Sequence, residues 1–434
     1  MSSIPRAAVL AVIAAGALAT SPVSAQEAEL PALRAATKAA PTDPAAAFAL
    51  GRALRRAGHP VEASRELLRG SQLGAALKGG LNLRLAYEAA LATLDRHDVP
   101  GALKVCDALG KRSAIGDACR AEAYLSQNRA SEALPLAKAA VSAEPDLYEA
   151  RVVGGRSFAL QGKIAEAEQT LRKLGESAPA RPEANHWLGV FLLAQGRRDD
   201  GVAALRLAHA ADPADPEIEL HLAEARRGTK EAQALLEHAV KTRPSYAEGY
   251  AELAATSIDL GDVAAADAAA SSAVRLDPQS TGAHLVLARV RNKQGRWDEA
   301  MREAEAAKKL VPNSAAAEVA LGDAHDGKGE VDLAGDAYLR AFGLDRADPA
   351  PLLRAGLSCL RASRPTMARG FADKITAEFP RFAPGWVLLG DLAAKTDRER
   401  ARAAYEAALK GEGPIDRDAV GKKLAALAAA PARP

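Results

Sequence analysis

The stretch Thr281–Pro312, TGAHLVLARVRNKQGRWDEAMREAEAAKKLVP, decides the fold. It reads as two short helices joined by a tight turn at Gln294-Gly295-Arg296. Leu285, Leu287, Ala288 and Val290 give the first helix an apolar side, and Trp297, Ala300, Met301, Ala304 and Ala307 do the same for the second. Ala300 and Ala304 fall where two antiparallel helices cross, and small side chains there let the backbones approach closely. Pro312 ends the second helix, because it lacks an N–H and its ring clashes with the preceding turn. A hairpin this short cannot bury both faces alone and needs a neighbour of the same kind on each side.

The chain supplies those neighbours at a fixed period. Closing prolines stand at Pro145, Pro179, Pro213, Pro244, Pro278, Pro312 and Pro380, with gaps of 34, 34, 31, 34, 34 and 68 residues. Gly162, Gly196, Gly261, Gly295 and Gly329 fall on the same ruler, as do Ala133, Ala167, Gly201, Ala266, Ala300, Ala334 and Ala368. Two helices per 34 residues is the signature of the tetratricopeptide repeat. The last unit carries Trp386, Leu389, Gly390, Ala401 and Tyr405 at the family's positions. The chain resembles that family from residue 44 to residue 415, although most units lack the opening aromatic and Ala75, Lys111 and Arg346 stand in for closing prolines.

The resemblance implies an all-α, right-handed α-solenoid of about eleven helix-turn-helix units. These begin near Pro44, Leu83, Ala114, Tyr148, Pro182, Pro216, Ala247, Thr281, Ala315, Pro349 and Ala383. Residues 26–43 are expected to cap the start of the stack, and residues 416–434 to form a capping helix and tail. The first unit is long by five residues around Gly70–Gly80, and the units from Leu83 and Pro216 are each short by three. These three places are candidate kinks.

Composition bounds the function. The chain has 434 residues, more than one compact core usually holds, and a solenoid escapes that limit. Hydrophobic residues make up 48% and aromatics only 4%, which leaves few rings for stacking on bases or sugars. A net charge of +2 argues against nucleic acid as a partner. Arg6 precedes an apolar run from Ala7 to Ala19, and Val23-Ser24-Ala25 follows as a small-residue cleavage site. That is the layout of a secretory signal peptide over residues 1–25, cleaved near Ala25. An uncleaved anchor is the alternative reading. The expectation is an exported, periplasmic protein that meets the membrane only through a larger envelope complex. Cys106 and Cys119 sit on successive helices, so an oxidising compartment allows a disulfide between them; two small core residues are the other reading. Cys359 lies on an apolar helix face and reads as packing.

No catalytic, cofactor or metal constellation emerges. Gly322 to Lys328, GDAHDGK, has Walker A spacing, but Gly329 stands where Ser or Thr should be, and the segment lies in a helix and its turn. Gly155-Arg-Ser157-Phe-Ala159 falls short of a nucleophile elbow. Asp323, Asp326, Glu330, Asp332 and Asp336 do not follow an EF-hand loop and read as a solvated face. The eight histidines are scattered; His186 and His209 sit in one unit and could approach, but an isolated pair on helices reads as polar packing.

In this repeat family the first helices line the inner surface. Carried over, the resemblance places Phe48, Tyr87, Leu91, Leu94, Leu125, Val152, Arg156, His186, Val190 and Leu193 in a candidate concave groove. The lysine positions with which some members clamp a carboxyl terminus are apolar here. Tyr87, Leu91, Leu94, Leu125, Val152, Val190 and Leu193 suggest an apolar lane for a peptide segment; packing against the next unit is the other reading. Arg52, Arg55 and Arg56 form a basic entrance or a solvated helix face. The reading is a non-catalytic scaffold that binds a protein or peptide. An accessory part of a polysaccharide-export or secretion machine is the alternative, and an enzyme assembled across units a remote one. Oligomeric state is not legible.

Overall fold

The computed structural model describes residues 24–74, 81–110 and 113–429. These residues form 24 α-helices and no strand. The chain divides into two compact units, Met1–Leu260 and Gly261–Pro434. The division falls between the helices Ala247–Asp259 and Val263–Leu276. The leader expected over residues 1–25 lies almost wholly outside the described residues; the first described helix, α1, spans Ser24–Ala39.

In unit 1 the first helices of the hairpins are α2 (Pro44–Arg56), α4 (Leu81–Leu94), α6 (Ala114–Leu125), α8 (Tyr148–Leu160), α10 (Pro182–Ala194), α12 (Pro216–Ala225) and α14 (Ala247–Asp259). The second helices are α3 (Pro60–Gly74), α5 (Val99–Ala108), α7 (Ala130–Ala143), α9 (Ile164–Ser177), α11 (Arg198–Ala211) and α13 (Lys230–Thr242). Unit 2 opens with α15 (Val263–Leu276). It continues as hairpins α16/α17 (Thr281–Lys293, Trp297–Leu310), α18/α19 (Ala315–Gly327, Val331–Leu344), α20/α21 (Ala350–Arg361, Pro365–Glu378) and α22/α23 (Ala383–Ala393, Arg398–Lys410). It closes with α24 (Arg417–Ala429). Each unit is thus an all-α stack of helical hairpins.

Local chemistry sets the helix ends. Asp43, Asp98, Ser113, Asp215, Thr229, Ser280 and Ser314 each accept a hydrogen bond from a backbone N–H in the first turn. The turn glycines Gly162, Gly196, Gly261, Gly295 and Gly329 all take positive φ, from 71° to 83°. Three turns reach the same left-handed conformation without glycine, at His97, Asn128 and Ser363.

Packing follows the period. Ala133, Ala167, Ala300, Ala334 and Ala368 are fully buried where the two helices of a hairpin meet, and Ala266 is fully buried as well. Gly322, the first glycine of the Walker-like stretch, lies in α18, where a Cβ would come within 2.6 Å of the Tyr338 ring. Gly329 is the turn glycine that follows. The short units lose length from helices. α12 and α5 have 10 residues each, whereas the turn at Gly228 keeps its left-handed glycine. Thus the shortfalls do not trim the turns. In the long unit, Gly70 is packed against Ala47 and Leu85. The Cys106 and Cys119 sulfurs are bonded, joining α5 to α6 with Cα atoms 5.4 Å apart, inside a cluster that includes Ile115 and Tyr87. Cys359 is buried and free.

Candidate functional site

Throughout unit 1 each first helix touches the first helix of the next hairpin, while successive second helices are splayed. A row packed tightly along one side and loosely along the other curls toward the tight side. The first helices therefore form the inner face of unit 1.

The curl brings distant hairpins together. Arg56 donates to Asp212, at the end of α11, and Arg52 lies 3.9 Å from the same carboxylate. Arg243, at the end of α13, donates from Nε to the Arg56 carbonyl at 2.8 Å. Gly58 sits so close that a Cβ there would fall 2.3 Å from the Ser245 hydroxyl. Arg55 donates from Nε to Asp95 at 2.6 Å and lies 3.4 Å from Glu88, and these carboxylates hold its guanidinium firmly charged despite burial. The three arginines are therefore neither an open entrance nor a solvated face; carboxylates of the same unit occupy them.

The apolar candidates divide by depth. Tyr87, Leu125, Val152 and His186 are buried, 5–8% exposed, and pack between hairpins. The Tyr87 hydroxyl is pushed well up by burial and by Glu122 and Glu149. Phe48, Leu91, Leu94, Val190 and Leu193 are half-buried and keep part of their surface on the inner face. Phe48 lies between the guanidinium carbons of Arg52 and Arg84, 5.9 and 5.6 Å from its ring centre. The seven positions of the expected lane thus do not form one continuous open strip.

Charged residues separate the half-buried ones. Arg156 pairs with Glu122, one period back, and lies 3.9 Å over the Trp187 ring. Arg181 bonds Glu149 at 3.1 Å and covers the Tyr148 ring at 3.5 Å. His186 does not meet His209. Its Nε2 lies 2.9 Å from Nδ1 of His221, one unit further on. Burial and the second ring push His186 down to about 4. A first helix faces its counterpart 34 residues on, whereas His209 lies on the second helix of its own hairpin. His238 bonds Glu219 at 2.6 Å, which raises its pKa, while burial raises that of Glu219.

Unit 2 repeats the ladder. Arg354 bonds Asp323 at 2.7 Å, Arg361 pairs with Asp326, and Arg364 bonds Asp332 at 2.5 Å. His325 and Lys328 hold Glu330 below the usual carboxylate range. Asp323, Asp326 and Asp332 are thus ion-paired to the next hairpin, and Glu330 within its own. Sequence reasoning missed Glu88, Asp95, Glu122, Trp187, Asp212 and His221. The signal was available for several of them: Glu122 and Arg156 are 34 residues apart, and His186 and His221 are 35 apart.

A tetratricopeptide repeat family model matches residues 124–188 and 257–322. ALBINO3-like protein 3, a mitochondrial protein of Arabidopsis thaliana, is 29% identical over 114 residues, covering 24% of this chain and 20% of that protein. This chain thus matches about a fifth of that relative's length. The crystal structure of the APC/C hetero-tetramer Cut9–Hcn1 is similar at 17% identity and TM-score 0.42, over 89% of this chain and 84% of that one. Yeast Tom70 is similar at 12% identity and TM-score 0.45, over 89% of this chain and 95% of that one. No described helix is long and apolar enough to cross a membrane. Residues 124–188 and 257–322 match the tetratricopeptide repeat, and both units of the chain are all-α stacks of helical hairpins.

Proposed function

We propose that this chain is a non-catalytic scaffold of the bacterial periplasm that holds a segment of a partner protein against the inner face of unit 1. The carrying observation is the half-buried set Phe48, Leu91, Leu94, Val190 and Leu193, set among fixed ion pairs on one face. Apolar positions of this kind anchor side chains of an extended or helical segment, and fixed charges select its register. Repeats of this type suit protein–protein interaction.

The proposed location rests on the leader-like layout of Arg6, Ala7–Ala19 and Val23-Ser24-Ala25. The bonded Cys106–Cys119 pair supports an oxidising compartment. Crosslinking in the intact envelope, followed by mass spectrometry, tests both parts. The expected result is a crosslinked envelope protein and a mature N-terminus near Gln26. Repeated recovery of the chain alone, or of a cytoplasmic chain retaining Met1, would count against the reading.

A further inference from the structure

The second helices of unit 1 are splayed, and two grooves open between them on the outer side. One, of about 720 Å³ between α9 and α11, carries charges of both signs: Arg172, Glu176 and Asp200. The other, of about 510 Å³ between α7 and α9, carries Lys138, Arg151 and Lys173 and no carboxylate. Its apolar walls include Val141 and Phe158, and Gly154 of α8 lies in its floor.

Gly154 is the anomaly. Its equivalents in seven other hairpins are Leu50, Leu188, Leu222, Leu253, Leu287, Leu321 and Leu389, all buried, and in the remaining three Ala89, Arg120 and Ala355, so only this hairpin has no side chain there. Hairpin α8/α9 has two successive glycines, Gly154 and Gly155. Gly155 has a packing reason, since a Cβ there would lie 2.7 Å from the Leu171 side chain. Gly154 has none. A Cβ there would meet only the Ala137 methyl, at 3.8 Å. Glycine inside a helix costs about 1 kcal/mol relative to alanine. The absent leucine therefore leaves an apolar gap that no side chain of the described unit fills.

We propose that this outer groove binds an acidic amphipathic helix of a partner protein, one large apolar side chain of which takes the place that leucine fills in seven of the other hairpins. The volume lies within the range of ligand pockets, about 300–1,000 Å³. The sign of the charge selects the partner. Lys138 and Lys173 pair with no carboxylate among the described residues, and Lys138 lies 5.6 Å over the Phe158 ring. Arg151 reaches only Asp146, at 3.8 Å, and that carboxylate is fully exposed. Helix-in-groove recognition needs an apolar anchor and a complementary rim, and this site offers both. It lies on the opposite side from the inner face and stands independently of it.

The test uses the full chain and a fluorescein-labelled helical peptide with leucines along one face and glutamates on the others. Anisotropy should show saturable binding that weakens with salt. Gly154→Leu fills the gap and should weaken binding roughly ten- to hundred-fold, the loss of one buried leucine contact. Lys138→Glu with Lys173→Glu should do the same. Gly154→Ala should retain binding and raise the melting temperature, which separates a blocked groove from a misfolded chain. Phe48→Ala, on the inner face, should leave binding unchanged. No saturable binding, undiminished binding by a folded Gly154→Leu chain, or equal binding of a peptide with lysines in place of glutamates would each overturn the proposal.

Discussion

Arg56 donates a hydrogen bond to Asp212, 156 residues further along the chain, and so ties the first hairpin of unit 1 to the fifth. A row of hairpins that contact only their neighbours has independent ends. This pair couples the first hairpin to the fifth, and Arg243 on the Arg56 carbonyl couples it to the sixth. It also restricts the inner face, because the row must hold its curl for the bond to form.

The clasp should therefore be measurable as stability. Asp212 is 9% exposed, so Asp212→Ala leaves Arg56 and Arg52 without their shared carboxylate. The expected loss is about 1–3 kcal/mol by urea unfolding. The charge-exchanged chain, Arg56→Asp with Asp212→Arg, should regain part of that loss. A double variant no better than the sum of its singles would show that the pair contributes no coupling.

The turns offer a cleaner comparison. Ser363 holds φ at 58°, a conformation glycine reaches without steric cost. Ser363→Gly should stabilise the chain by about 1 kcal/mol. Gly329, with φ of 77° and no atom near its missing Cβ, should lose about 1 kcal/mol on changing to alanine. Thermal unfolding of both variants should show shifts of opposite sign. Shifts of the same sign would mean that left-handed strain does not decide these positions.

Much of this architecture was legible beforehand, and the reasons are local. Ala300 and Ala304 mark a helix crossing because only small residues fit there, and Gly295 marks a turn because the backbone turns left-handed. Depth was not legible. The period assigns Leu125 and Leu94 alike to first helices, yet Leu125 is closed over by its neighbours while Leu94 keeps part of its surface. Curvature was not legible either. Whether Arg56 meets solvent or Asp212 depends on small rotations accumulated over several hairpins, and no single hairpin encodes their sum. Closeness within a unit brings His209 to mind beside His186, whereas first helices face their counterparts one period away, and His221 is the neighbour.

Acid should act through His186. Its ordinary pKa of 6.5 falls to about 4 in the folded chain, through burial and through His221, with Arg156 adding to the fall and Asp215 and Glu217 opposing it. The unfolded chain takes up a proton that the folded chain refuses. Stability should therefore be intact above pH 6.5 and decline between pH 6.5 and about 4, by as much as about 3 kcal/mol. His238, raised by Glu219, acts in the opposite direction, so the informative quantity is the difference between the wild type and His186→Gln. The variant should show a shallower decline over that interval. Parallel curves would remove His186 from the account.

The disulfide closes a short loop, with Cys106 and Cys119 separated by 13 positions in sequence. Reduction should cost roughly 2–3 kcal/mol, through the freedom returned to the unfolded chain. Cys359, buried and with its thiol pushed up by burial, should resist alkylation until the chain unfolds. Urea unfolding with and without reductant checks the first point, and mass spectrometry of the native chain after alkylation without reductant checks the second. Labelling at Cys106 would place the native thiols in the reduced state.

The central claim is that the inner face of unit 1 grips another protein. Photo-crosslinking residues placed at Leu94 and Leu193, with a control at the exposed Glu237 on the second helix α13, test it in the intact cell envelope. The account predicts that both inner positions crosslink one and the same protein and that the control does not. Crosslinking no protein from either inner position, with the chain folded and exported, would contradict it.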